Sequence, residues 1–342
     1  MEIGIDRFLF LGADSPSGIG TNPFPDLLEE IVRADQAGIH IFGIGEHHSS
    51  EFADSSPAVL LAAAATRTVR IRLSSAITIL SVADPVRVME DFATLDLVSS
   101  GRAEIIAGRG AYGEAFALFG RSLEEYDSLY AEQLDLLLRL RSGGPVTWRG
   151  RYRPALSGQI TYPRPLQPAL PIWIGATGSP QSFVRAGTLG LPLALGVIGG
   201  DYARLRPLVD LYRDAGRQAG HDADDLPIAI HAIGYVGESP ELARAEFFSG
   251  YSRIFGALGR KAGWPELTRS RFETMTGPGD ALVIGDASEV ERKIDHIDTV
   301  LGGVSRICLQ MTVGPLERQH RLGAIDRLGQ IMAKRSLRQQ VA

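Results

Sequence analysis

The chain contains a single cysteine, Cys308, in 342 residues. One thiol excludes an internal disulfide framework and fits a reducing compartment, so a cytoplasmic location is expected. An excess of charge of one sign is also missing. Lys+Arg number 35 and Asp+Glu 40, leaving a net charge of -5. That balance gives no electrostatic reason to expect nucleic acid or an anionic membrane surface as a partner. No apolar run approaches the roughly 18 residues a membrane span needs. The start, Met1-Glu2-Ile3-Gly4, lacks the basic region of a signal peptide. A Walker A loop, a dinucleotide fingerprint after the first strand, a Ser-His-Asp arrangement and an internal repeat are all absent from the sequence.

What is present is an alternation. The composition, 44% hydrophobic and 22% charged, is that of an ordinary globular protein. Apolar strand patterns cover 3–11, 41–44, 71–80, 103–109, 171–175, 191–197, 227–236 and 304–311. Helical spacings separate them, among them a helix capped by Asp26 that ends at Gly38, one from Pro57 through Thr66, and one through Tyr126, Tyr130, Leu134 and Leu137. A loop from Gly12 to Pro25 is rich in glycine, proline and serine. Two segments break the rhythm: a proline-rich insertion around 142–170 containing VTWRGRY, which suggests a small hairpin, and an irregular helical stretch around 239–285. Eight strands alternating with helices predict an α/β fold, a (β/α)8 TIM barrel over residues 1–342 as one domain; a doubly wound sheet is the alternative.

The residues with chemical potential sit where strands end. In HIFGIGEHH, residues 40–48, an apolar run finishes in Glu46-His47-His48. Adjacent strand residues point to opposite faces, so the two histidines are not expected to share a metal ion. His47 is the candidate for chemistry; Glu46 either orients an imidazole or bonds to backbone. Along 71–80 the large residues Ile71, Leu73, Ile77 and Ile79 share one parity and Ser74, Ala76 and Thr78 the other, which leaves small side chains toward the interior. Arg109 lies between Gly108 and Gly110, suited either to a phosphate or to a surface carboxylate. In GATGSPQS, residues 175–182, Ser179 and Pro180 open a helix whose free N–H groups suit an anion, with Thr177, Ser179 and Ser182 adding hydroxyls. Tyr112, Phe116, Trp148 and Tyr152 are either pocket walls or packing residues, and Cys308 is expected in the core.

EHH after a strand, ADPVRVMEDFATLDLVSSGRAEIIAGRG and the closing QMTVGPLERQHRLGAIDRLGQIM together resemble the bacterial-luciferase-like flavin-dependent monooxygenases and oxidoreductases. The matching segments spread over nearly the whole chain in the family's order. The resemblance implies a barrel with reduced FMN at its carboxyl face, O2 and a small organic molecule as co-substrates, and a separate flavin reductase; a homodimer is a further expectation. It implies His47 as a catalytic acid-base and Arg109 as a phosphate contact. Ala176, Gly178, Ser179 and Ser182, with Thr177, correspond to the second phosphate loop. Ala76 falls at a non-prolyl cis peptide beneath the flavin ring. Gly108 stands where luciferase has a reactive cysteine, and Gly178 replaces an acidic residue; both speak against light emission from a long-chain aldehyde. The alternatives are hydride transfer with deazaflavin F420, or a non-catalytic flavin-binding protein.

Overall fold

The structure, a computed structural model, describes residues 1–11, 22–110, 112–222 and 226–341, without the side chains of 257–258, 261–262 and 339–341. The expected loop from Gly12 lies, as far as residue 21, outside the described residues.

The elements follow the expected alternation. The first half runs β1 (Glu2–Arg7), α1 (Phe24–Gln36), β2 (Ile41–Ile44), α2 (Pro57–Ala65), β3 (Arg72–Ser75), β4 (Thr78–Ile79), α3 (Pro85–Val98), β5 (Ala103–Gly108), α4 (Gly113–Leu118) and α5 (Tyr126–Arg141). A hairpin of β6 (Val146–Trp148) and β7 (Leu156–Gln159) interrupts the pattern. Then come β8 (Ile172–Ala176), α6 (Pro180–Thr188), β9 (Leu193–Val197), α7 (Arg206–Gln218), β10 (Ile228–Val236), α8 (Pro240–Ala262), α9 (Arg269–Met275), β11 (Val283–Gly285), α10 (Ala287–Leu301), β12 (Arg306–Gln310) and α11 (Arg318–Val341).

Parallel pairing runs β1-β2-β3-β5-β8-β9-β10-β12 and returns to β1, so the sheet closes into a (β/α)8 barrel. Closure leaves no open edge along the ring. Period-2 alternation assigns the faces. In β1, Ile3 and Ile5 join the core shared with the helices, while Asp6 lines the interior.

Three expectations need correction. Asp26 does not cap the first helix, which begins two residues earlier after Pro23 with no side-chain cap. Pro25 fits that first turn because its missing N–H has no intrahelical partner to lose. The carboxylate of Asp26 instead accepts from Arg321 Nη2 at 2.9 Å. The stretch 239–285 is more regular than its composition suggests, with a 23-residue helix, α8, and the short strand β11. Three residues are too few to show a period, and β11 forms because the long β10 extends past the barrel rim to pair with it. Finally, strand periodicity does not run unbroken through 71–80. It lapses between β3 and β4, and both Ala76 and Ile77 line the interior cavity. The Ala76-Ile77 peptide is cis.

The amino end of the barrel is sealed by charge. Arg306 meets Glu104 through two bonds of 2.5 and 3.1 Å, reaches Glu2 Oε2 at 2.9 Å, and stacks 4.4 Å from the Trp173 ring. Burial alone would lower the arginine's pKa, yet Glu104 holds it above its ordinary value.

Candidate active site

At the opposite end, a cavity of about 340 Å³ opens among the carboxyl ends of the strands. That is the face on which barrels of this kind carry their sites. Three loops and the strands β1, β10 and β12 furnish its polar groups.

The loop after β2 carries His47, which is 8% exposed. Its Nδ1 lies 3.0 Å from Oδ1 of the fully buried Asp54. The other Asp54 oxygen accepts the Leu9 backbone N–H at 2.9 Å. Phe52 stacks on the imidazole at 3.9 Å and 7°, and Phe8 meets its edge at 4.8 Å. An Asp-held Nδ1 fixes the ring and leaves Nε2 for proton exchange. His48 faces elsewhere: its Nε2 is 2.9 Å from Glu46 Oε1 and its ring meets Phe119. Glu46 Oε2 accepts from the Ile79 N–H at 3.0 Å. Both roles anticipated for Glu46 are therefore realised together, and the adjacent histidines hold separate carboxylates.

The end of β5 carries Gly108 and Arg109, both lining the cavity. Arg109 donates to Asp127 Oδ1 at 2.6 Å and packs 5.2 Å from the Tyr126 ring. Asp127 is more than half exposed, so this bond competes with water and is replaceable. A Cβ on Gly108 would collide with the Ile77 side chain, so glycine is what lets the two segments approach here.

The end of β8 supplies Ala176 and Thr177, again at the cavity wall. Gly178, Ser179 and Ser182 lie beyond the lining residues. Ser179 occupies the N-cap position of α6 with Pro180 following, as expected, but its hydroxyl donates to Gln181 Oε1 at 2.7 Å instead of taking up the helix. Ser182 is buried, and its backbone N–H bonds to the Ser179 carbonyl. Arg185 of α6 stacks 5.2 Å from the Tyr130 ring, and both Arg185 and Arg109 act on that phenol electrostatically. Two guanidiniums thus act on Tyr130, Arg185 from the last turn of α6 and Arg109 from the end of β5.

Of the four candidate pocket aromatics, only Tyr112 lines the cavity. Phe116 and Trp148 are buried packing residues, and Tyr152 bonds to Ser128 and Glu125. Cys308 is buried, with burial and then Asp6 pushing its thiol pKa up. Two groups escaped the sequence reading. Asp54 follows His47 by seven residues in a polar loop, a faint signal. Asp6 and His231 line the cavity floor, with His231 Nδ1 at 2.6 Å from Asp6 Oδ2. With Cys308 they bring ligand-type atoms within 4.8 Å of one another, although burial favours the neutral thiol over the thiolate a metal would want.

A family model described as "Luciferase-like monooxygenase" matches residues 1–299. An uncharacterised protein of Sinorhizobium fredii (strain NBRC 101917 / NGR234), y4vJ, is 27% identical over 62% of this chain and 60% of its own length. The 4-hydroxyprotoasukamycin monooxygenase of Streptomyces nodosus subsp. asukaensis is 25% identical over 86% of this chain and 82% of its own. Among solved structures, monooxygenase RslO1 from Streptomyces bottropensis superposes with TM-score 0.84 at 24% identity, covering 98% and 100% of the two chains. The oxygenating constituent of 3,6-diketocamphane monooxygenase from Pseudomonas putida, in complex with FMN, gives TM-score 0.81 at 18% identity over 98% of each chain. An F420-dependent secondary alcohol dehydrogenase gives 0.75 at 18% identity, covering 96% and 97%. At these identities the superpositions speak for the barrel, and the family match over most of the length settles descent: this chain is a member of the luciferase-like monooxygenase family.

Proposed function

We propose that the protein is the oxygenase component of a two-component system, using reduced FMN from a separate reductase and O2 to oxidise a small organic substrate. The observation that carries this reading is the convergence, in one cavity, of an Asp-held imidazole, an arginine with a replaceable partner, and walls of small residues. FMN fits that set. Ala76, Gly175 and Gly196 leave room for a flat ring, and Arg109 with the start of α6 suits a terminal phosphate.

When bound, the flavin would supply the oxygen chemistry; the protein's part is to bind, orient and exclude water. Arg109 exchanges Asp127 for the phosphate. Phe8, Ile77, Ile79, Ile106 and Tyr112 keep the cavity apolar around the reacting region. His47, its Nδ1 fixed by Asp54, moves the proton at Nε2, and the Phe52 and Phe8 contacts hold its plane. The Pseudomonas structure, in complex with FMN, supports a flavin, and the F420-dependent relative keeps deazaflavin as the competing cofactor.

The test is to mix the protein anaerobically with reduced FMN, then with oxygen, and follow absorbance. A persistent spectrum distinct from reduced and oxidised flavin is expected. Decay at the protein-free rate, together with tighter binding of F420 than of FMN, would replace this reading by hydride transfer.

A further inference from the structure

Two buried polar atoms beside the cavity have no hydrogen-bond partner among the described residues: Oδ1 of Asp6 and Nε2 of His231. They belong to a single pair, joined across 225 residues by the 2.6 Å contact between Asp6 Oδ2 and His231 Nδ1. Leaving such an atom unsatisfied is costly, and native interiors rarely tolerate it without a water, an ion or a ligand to complete it. Both residues line the cavity that holds His47 and Arg109.

Their place in the barrel says which part of a ligand they face. Around the ring β1-β2-β3-β5-β8-β9-β10-β12, Arg109 follows β5 and Thr177 follows β8. Directly across from β5 and β8 are β12 and β1, flanked by β10. A ligand anchored by phosphate at Arg109 and lying across the mouth therefore brings its far end toward Asp6, Gln310 and His231. Between these poles the wall offers Ala76, Gly175 and Gly196, which have no polar side chain.

We propose that His231, positioned by Asp6, hydrogen-bonds the polar edge of the flavin ring. The inference rests on the FMN reading above. With Nδ1–H donating to the Asp6 carboxylate, Nε2 presents a lone pair and accepts from a ring N–H. The isoalloxazine has such an N–H between two carbonyls. An apolar ring edge would give the Asp6–His231 pair no partner. His231 is thus a binding residue at the opposite pole from the phosphate contact, distinct from the proton-transfer role of His47.

The experiment is an anaerobic calorimetric titration of wild type, His231→Leu and His231→Gln with reduced FMN and with reduced riboflavin. Loss of a ring contact weakens both ligands by the same factor, about tenfold for one net hydrogen bond. His231→Gln, which keeps a side-chain carbonyl acceptor, is expected to recover most of that loss. Wild-type affinity for both flavins in His231→Leu overturns the assignment while leaving the FMN reading intact. Equal loss in the Leu and Gln variants also overturns it, because packing rather than hydrogen bonding would then be at stake. Wild-type protein that binds neither flavin overturns the FMN reading and this proposal together.

Discussion

The two ends of the barrel each hold an arginine against carboxylate, and the outcomes differ. Arg306 at the amino end is buried, doubly bonded to a fully buried Glu104 and stacked on Trp173. Arg109 at the carboxyl end has one close carboxylate, and that partner, Asp127, is 58% exposed. A buried pair is expensive to separate, because the remaining charge is stranded in low dielectric. An exposed partner is exchanged at little cost, because water and salt already compete for it. The same side-chain chemistry therefore makes a fastener at one end and, in the function proposed above, a ligand socket at the other. What separates them is the solvent access of the carboxylate.

This contrast can be attacked at four points. The largest effect is expected from Glu104→Ala, which strands Arg306; a loss of about 3–5 kcal/mol in stability should appear in denaturant unfolding. A change below about 1 kcal/mol would deny the fastener. At the other end, His47→Ala should lower oxygenation turnover by about a hundredfold or more while reduced-FMN affinity changes little. Unchanged turnover across an accepted substrate would end the acid-base assignment. Next, Arg109→Ala should weaken FMN by tenfold to about a hundredfold, the range of a charge-assisted hydrogen bond, and leave riboflavin almost untouched. Similar losses for both ligands would contradict a phosphate socket.

The last test concerns another buried cation, Lys293. Lys293 donates to the carbonyls of Thr276, Gly277 and Leu282 and, among the described residues, pairs with no carboxylate. Burial lowers its pKa from 10.5 to about 8. Between those values the unfolded chain keeps a proton that the folded protein has released, so this group's contribution makes stability rise with pH. The rise should be present in wild type between pH 8 and 10.5 and missing from Lys293→Met, read as the difference between their unfolding curves. Parallel curves would show that the carbonyl cage compensates burial as well as Glu104 does for Arg306.

The legible part of this fold was its periodicity. Ile3 and Ile5 against Gly4 and Asp6, or the spacing of Tyr130, Leu134 and Leu137, encode which face is buried within one element, and local sterics suffice to read it. Short elements escaped, because three residues in β11 display no period and take their conformation from β10. The site divided along the same line. His47, Arg109 and the opening of α6 stand at element ends, where charge after an apolar run is visible in one dimension. Ser179 and Ser182 are only half legible in one dimension, since helix position is local but the direction of a hydroxyl is not.

The sequence by itself therefore determined the alternation of strands and helices, the polar residues at their carboxyl ends, and the family to which the motifs point. Tertiary structure alone decided the partnerships. Barrel closure sets β1 beside β12 and β12 beside β10, and so places Asp6 against His231. The fold of the loop after β2 turns Asp54 under His47. Burial separates the arginine that locks from the arginine that can let go. Each of these depends on distances and solvent access between segments remote in the chain, quantities that arise only when the eighth strand meets the first.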